Sequence, residues 1–271
     1  MIFLVVFIFG LAVGSFLNAF IYRLEVRDGF TPNPQGSKDL LHKLLTGRSQ
    51  CPLCAHTLAW HDLIPLLSFI LLYGKCRYCK KKISFQYPLV ELGIGILFLL
   101  ISVSSFMHIV ELFYLWTIAS LLTVIFVYDL KHFIIPDKIL YPAILLSSMW
   151  YVLAGVQGII QPYEILHAIY SGLGAAGFFL AIYIFTKGRA MGFGDVKLAL
   201  FMGLFLSWPN ILVALSVAFG TGAIVGLVLM LLKRKTMRSE VPFGPFLILG
   251  TFTALFLGEK LVDFYLLYLG V

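Results

Sequence analysis

The chain has 271 residues, of which 61% are hydrophobic and 12% charged, and its 20 Lys and Arg exceed its 13 Asp and Glu. That composition excludes a water-soluble globular domain, a disordered chain and a collagen-like repeat. With 24 Gly and 15% aromatics it points to a protein that crosses a bilayer several times.

Runs of about 17 to 25 apolar residues predict spans at 2–22, 87–106, 111–128, 138–155, 164–186, 194–208, 210–232 and 245–268. The expected fold class is therefore all-α and polytopic, with about eight transmembrane helices. The first run has no basic leader and no small-residue cleavage site, so it reads as a retained span. The sixth is the weakest, since Trp208-Pro209-Asn210 follows soon after Asp195-Val196-Lys197.

With the N-terminus outside, eight spans place 23–86, 129–137, 187–193 and 233–244 on one side. Ten Lys and Arg fall in 23–86, two in 129–138, three in 187–197 and four in 233–238, leaving Lys260 alone on the other side. The positive-inside rule makes the crowded face cytoplasmic, and it opposes a re-entrant sixth segment, which would put 233–238 outside. The charge surplus is thus topological, its partner is the lipid bilayer, and no basic stripe interleaved with aromatics indicates nucleic acid. The division expected is a first helix at 1–23, a cytoplasmic loop at 24–86, and a membrane domain at 87–271. Residues 26–50 read as a mobile connection with a short helix at 38–46.

All four cysteines lie in that loop, as Cys51-Pro-Leu-Cys54 and Cys76-Arg-Tyr-Cys79 separated by 21 residues. Two such knuckles supply four thiolates to a tetrahedral zinc at the usual ribbon spacing. Two disulfides would need an oxidising compartment, which the charge count denies. A redox pair would sit in a strand-to-helix context that neither knuckle has. A four-thiolate site has no open coordination position, so the metal is expected to fold residues 48–84 and to take no part in hydrolysis. Iron accepts the same ligands. His56 and His61 are left as surface or packing residues.

Acids in spans are costly, so each needs an account. Asp129 ends the run Leu121–Tyr128, and Asp195 lies in Met191-Gly-Phe-Gly-Asp-Val-Lys197; both fall at the cytoplasmic edge. Two carboxylates sharing a site cannot easily both ionise, so one keeps a proton while the other acts as base on a water. Gly192 and Gly194 allow the close backbone approach such a site needs. The pattern equally accommodates plain helix caps, or ion pairs of Asp129 with Lys131 and Asp195 with Lys197. Asp137 reads as an N-cap or first-turn acid. Glu91, just inside the second span, divides evenly between a substrate or partner contact and a structural hydrogen bond. Glu111, Glu164, Glu259 and Asp263 fall at outer ends, and His108, His132 and His167 form no constellation.

Together these residues resemble the type IV prepilin peptidases, polytopic GxGD-type aspartic proteases also called leader peptidase/N-methyltransferases. The resemblance rests on Gly14–Arg23, the two knuckles, Leu63-Ile-Pro-Leu66, Tyr87-Pro-Leu-Val-Glu91, Asp129–Asp137, Gly192–Lys197 and Pro242-Phe-Gly-Pro245, in order along nearly the whole chain. It implies Asp129 and Asp195 as the catalytic pair in an active-site loop with Gly192, Gly194 and Lys197, which makes 87–271 a peptidase domain. It implies a prepilin or pseudopilin substrate cut after Gly at the cytoplasmic face of a bacterial inner membrane. It also implies methylation of the new N-terminus from S-adenosylmethionine, with Glu91 and the cysteine loop as the neighbourhood; no Rossmann-type Gly-rich turn is visible. The competing class is a non-enzymatic transport or assembly component whose zinc loop docks a partner and whose aspartates relay protons.

Overall fold

A computed structural model describes residues 1–31, 49–104, 109–189, 191–232 and 241–269; the short helix expected at 38–46 lies outside them. The helices are α1 (Ile2–Arg27), α2 (Leu67–Leu71), α3 (Gln86–Ser104), α4 (Ile109–His132), α5 (Asp137–Val156), α6 (Pro162–Thr186), α7 (Phe193–Leu206), α8 (Asn210–Leu231) and α9 (Gly244–Leu269), with a 3₁₀ turn at Trp60–Asp62. Among the described residues β pairing is confined to two isolated bridges, Gln50 with Thr57 and Lys75 with Lys82.

Among the described residues seven helices, α1, α3, α4, α5, α6, α8 and α9, are long and apolar enough to cross a membrane. The sixth expected span is the exception. α7 has 14 residues, about 21 Å at 1.5 Å per residue, against a hydrocarbon core of about 30 Å. Ser207, at φ 57°, ends it ahead of Pro209.

The chain forms two compact units, Met1–Val124 and Ile125–Val271. In the first, α1 and α3 run antiparallel in a four-residue register. A Cβ on Gly10 would come 2.8 Å from the Gly95 Cα, and one on Gly14 would come 2.6 Å from the Glu91 Cα. One turn on, Asn18 Nδ2 donates to the Tyr87 carbonyl at 3.0 Å. Small residues four apart let two backbones touch, which is how helices associate where lipid offers no hydrophobic drive. Trp116 of α4 stacks flat on Phe98 of α3, with centroids 4.7 Å apart, and donates its indole N–H to the Phe98 carbonyl at 3.3 Å.

In the second unit α7 is the core. Val196, Leu198, Ala199, Phe201, Met202, Gly203 and Leu206 are all buried, because α7 packs on α6, α5, α9 and α8. α6 starts on Pro162, with Glu164 accepting the Gln161 amide at 2.6 Å, and ends on a left-handed Lys187 followed by Gly188, standard punctuation at both ends. A Cβ on Gly203 would stand 2.5 Å from the Gly172 Cα. Gly203→Ala should therefore push α6 from α7 and lower stability by about 1–3 kcal/mol, read as a lower melting temperature in detergent; an unchanged temperature would mean the two helices separate without cost.

Candidate active site and cysteine cluster

α4 continues past the end of its apolar run to His132, so Asp129 lies in its last turn. Phe133, at φ 58°, returns its N–H to the Asp129 carbonyl at 2.9 Å and stops the helix. Ile134 and Ile135 then lead to Pro136, the cap of α5. Asp129 is 4% exposed, its Oδ2 is buried without a hydrogen bond, and it faces the backbone of Gly244 at the start of α9. A Cβ at Gly244 would sit 2.5 Å from that oxygen, so any larger residue there would have to push the Asp129 carboxylate aside. Phe243 holds this start in place among Phe179, Phe219 and Phe246, at centroid distances of 6.3, 5.2 and 6.2 Å.

Asp195 stands at the third position of α7, capped by Gly192. The Gly192 N–H donates to Asp195 Oδ2 and the Asp195 N–H to the Gly192 carbonyl, both at 3.2 Å. The capping alternative is thus realised, yet it engages one carboxylate oxygen only. A Cβ on Gly194 would approach the Ile135 Cβ to 3.1 Å, and Ile135 Cδ1 lies 3.4 Å from the Cβ position of Gly244. The two glycines therefore admit the same isoleucine, and they bring the end of α4 and the starts of α7 and α9 together. Asp195 is 8% exposed, and the Asp129 carboxylate is near enough to repel it electrostatically.

Lys197 does not pair with Asp195. Its ammonium makes an ion pair with Asp137, 60 residues away, and lies 5.4 Å from the ring centroids of both Tyr141 and Phe193. Positions 195 and 197 leave a helix on different sides, so the lysine ties the start of α7 to that of α5 and is turned away from Asp195. Asp137 is thus more than a first-turn acid.

Glu91 is buried and accepts the Leu66 N–H on Oε2 at 2.8 Å. Leu66 has φ 59° and ψ −47°, and Leu67 donates to the Pro65 carbonyl at 2.6 Å, a γ-turn that an L residue enters only under strain. Ser15 on α1 donates to the Leu63 carbonyl at 3.4 Å. The Leu63–Leu66 turn is therefore held by the α1 and α3 pair, which favours the structural account of Glu91.

The four sulfurs of Cys51, Cys54, Cys76 and Cys79 lie within 4.8 Å of one another, with Cys51 and Cys79 at 3.9 Å, and none is in a disulfide. A tetrahedral zinc with Zn–S bonds near 2.3 Å needs S–S edges of about 3.8 Å, so the cluster fits a metal. The knuckles repeat one backbone design. Ala55 and Lys80, each just after a second cysteine, have φ of 54° and 58°, and each donates to the carbonyl of the first cysteine, at 2.9 and 3.0 Å. Burial opposes ionisation at both first cysteines; it pushes Cys51 up to about 12, whereas the amides of Cys79 and Tyr78 outweigh it at Cys76 and bring that thiol down to about 7.

Asp62, unnoticed in the sequence, latches the second knuckle. It accepts from Arg77 Nε at 2.6 Å, from the Tyr78 hydroxyl at 3.2 Å and from the Ala59 amide at 3.3 Å. His56 packs on the Tyr78 ring with centroids 3.7 Å apart. Burial works against the Asp62 charge, but these donors hold its carboxyl below the ordinary value. Its contribution is therefore complete at neutral pH and is lost only as acid passes the folded value. Asp62→Asn should speed release of metal to a chelator about threefold to tenfold; an unchanged rate would show that the latch does not guard the cluster.

Residues 8–105 match the family model for the bacterial peptidase A24 N-terminal domain, and residues 116–227 match that of the type IV leader peptidase family. The cysteine cluster and Glu91 fall in the first match, and both aspartates in the second. The chain is 31% identical to the prepilin leader peptidase/N-methyltransferase of Aeromonas hydrophila, over 97% of this chain and 93% of that protein. It is 32% identical to the protein of that name from Legionella pneumophila, over 98% and 95%, and 30% to that of Bacillus subtilis (strain 168), over 97% of each. No solved structure matches.

Proposed function

Since the chain belongs to the type IV leader peptidase family, we propose that Asp129 and Asp195 are its catalytic pair. The chain is a multi-pass protein of the bacterial inner membrane whose activity joins prepilin cleavage to methylation of the product. The observation that carries the site is the convergence of two buried carboxylates at the ends of α4 and α7, with Gly194 and Gly244 clearing the backbone around them.

In the reading we favour, a water between the carboxylates loses its proton to the ionised aspartate and attacks the carbonyl of the Gly that ends the leader. The protonated aspartate hydrogen-bonds that carbonyl oxygen and then delivers its proton to the leaving amine. Gly192 and its amide fix Asp195 in place, while the Lys197–Asp137 pair keeps the ammonium away from the shared proton. Exposed Leu130, Phe133, Ile134 and Phe193 flank the aspartates along the chain and suit a substrate whose residues beyond the cut form an apolar helix. The basic leader would stay on the cytoplasmic side, where the Lys and Arg count places the loops.

Cys51, Cys54, Cys76 and Cys79 would hold zinc, which when bound supplies a closed structural centre. S-adenosylmethionine would supply the methyl group. Among the described residues no strand with a Gly-rich turn exists to cradle it, and Glu91 serves that step by holding the Leu63–Leu66 turn. The test is purified protein with a prepilin-like peptide, a basic leader ending in Gly-Phe ahead of an apolar helix, followed by mass spectrometry with and without S-adenosylmethionine. Cleavage after Gly and one added methyl on the new N-terminus are expected. An uncut peptide with well-folded, zinc-loaded protein, over several pilin sequences, would favour the assembly or transport class.

A further inference from the structure

From the stretch between the two knuckles we infer a lipid anchor: α2 lies in the headgroup–acyl boundary of an anionic leaflet, with Leu67, Ile70 and Leu71 immersed and the lysines that follow set on the headgroups. The three leucine and isoleucine positions are spaced i, i+3 and i+4, which puts them on one face of the helix, and they are 49%, 66% and 66% exposed. The other face is occupied. Phe69 packs on Phe85, centroids 5.6 Å apart, and against Gly74, whose Cβ position is 3.1 Å from the Phe69 ring.

Depth argues for lipid over water as the medium on the exposed face. The turn that leads into α2 is hydrogen-bonded to residues well inside two membrane helices. Leu66 donates to Glu91, five residues into α3, about 7.5 Å along its axis. Leu63 accepts from Ser15, seven residues before the end of the apolar run at 2–22, about 10.5 Å along that axis. Non-helical backbone at such a level persists only where protein satisfies its polar groups. The Glu91 carboxylate and the Pro65 carbonyl do this for the Leu66 and Leu67 amides.

Charge completes the picture. Lys75 and Lys82 face one another across a bridge immediately after α2, and with Lys80 and Lys81 they are exposed and have no carboxylate partner among the described residues, whereas Arg77 is engaged by Asp62. Four free ammonium groups beside an exposed apolar face match an anionic lipid surface. Trp60 and Tyr73, 78% and 89% exposed, have the amphipathic rings that collect at that boundary.

The anchor does not depend on the catalytic reading and is tested without it. Ile70→Trp, in a Trp60→Phe background, is reconstituted in nanodiscs of phosphatidylcholine with phosphatidylglycerol, and its emission is compared with Trp60→Phe alone. Lipids brominated near the head of the acyl chain should quench most of the added emission, and aqueous iodide little of it. Replacing Lys75, Lys80, Lys81 and Lys82 by Gln, or using phosphatidylcholine alone, should cut the lipid quenching severalfold. Quenching by iodide alone would overturn the proposal, as would quenching by neither agent, which would mean that protein covers α2. Equal lipid quenching with and without the anionic lipid would overturn its electrostatic half. Metal content and melting temperature equal to the parent's certify that each variant is folded.

Discussion

Asp195→Asn should cut cleavage of a prepilin-like peptide by about 10²–10⁴-fold, and Asp129→Asn should do the same. Asparagine keeps the size of the side chain, and its amide oxygen still accepts the Gly192 N–H that Asp195 Oδ2 accepts at 3.2 Å, so the cap of α7 survives. What is lost is a group able to hold or give up the shared proton. The double variant should be little worse than either single one, because residues acting on one proton form a unit. Melting temperature and metal content should match those of the parent. A graded loss that alkaline or acid buffer relieves would instead favour a proton path through a non-enzymatic component.

Cys76→Ser should empty the four-sulfur cluster and unfold the loop it holds. Structural zinc contributes about 10–16 kcal/mol to the folding of zinc-finger peptides, more than the other ties of the described loop around the cluster supply. The loop has two isolated bridges, one 3₁₀ turn, the five-residue α2, the Asp62 latch and the hydrogen bonds of its Leu63–Leu66 turn to Ser15 and Glu91. Bound metal should fall from one per chain to none, and limited proteolysis should open new cuts between residues 49 and 85. Methylation should be lost with the loop. Cleavage should fall far less than in Asp195→Asn, since Asp129 and Asp195 belong to the second compact unit. Metal retained at one per chain would show that the four sulfurs are not its ligands.

Much of this was readable in advance, for physical reasons that differ by element. Long apolar runs announce spans because lipid accepts them on every side, and seven runs became helices of sufficient length. The cysteine quartet was legible because metal geometry constrains spacing within each knuckle. α7 misled because its apolar residues answer to protein rather than lipid, so hydropathy says nothing about its length. The last turn of α4 was hidden because Leu130-Lys131-His132 ends an apolar run without ending a helix. The pairing of Lys197 with Asp137 and the contact of Gly244 with Asp129 join residues far apart in the chain. Only Pro242-Phe-Gly-Pro245, a rigid turn opening a helix, hinted at the latter.

The burial of α7 bears on how the chain enters the membrane. A rod of about 21 Å with neighbours on its faces and Asp195 near its start gains little from lipid contact alone. Its retention must depend on helices synthesised around it. α6, fastened to it through Gly172 and Gly203, is available as its hairpin partner when it leaves the insertion machinery. α8 and α9 arrive later to close the cage. Asp195, near the start of this rod, would thus be fixed at its depth only after the C-terminal helices are in place.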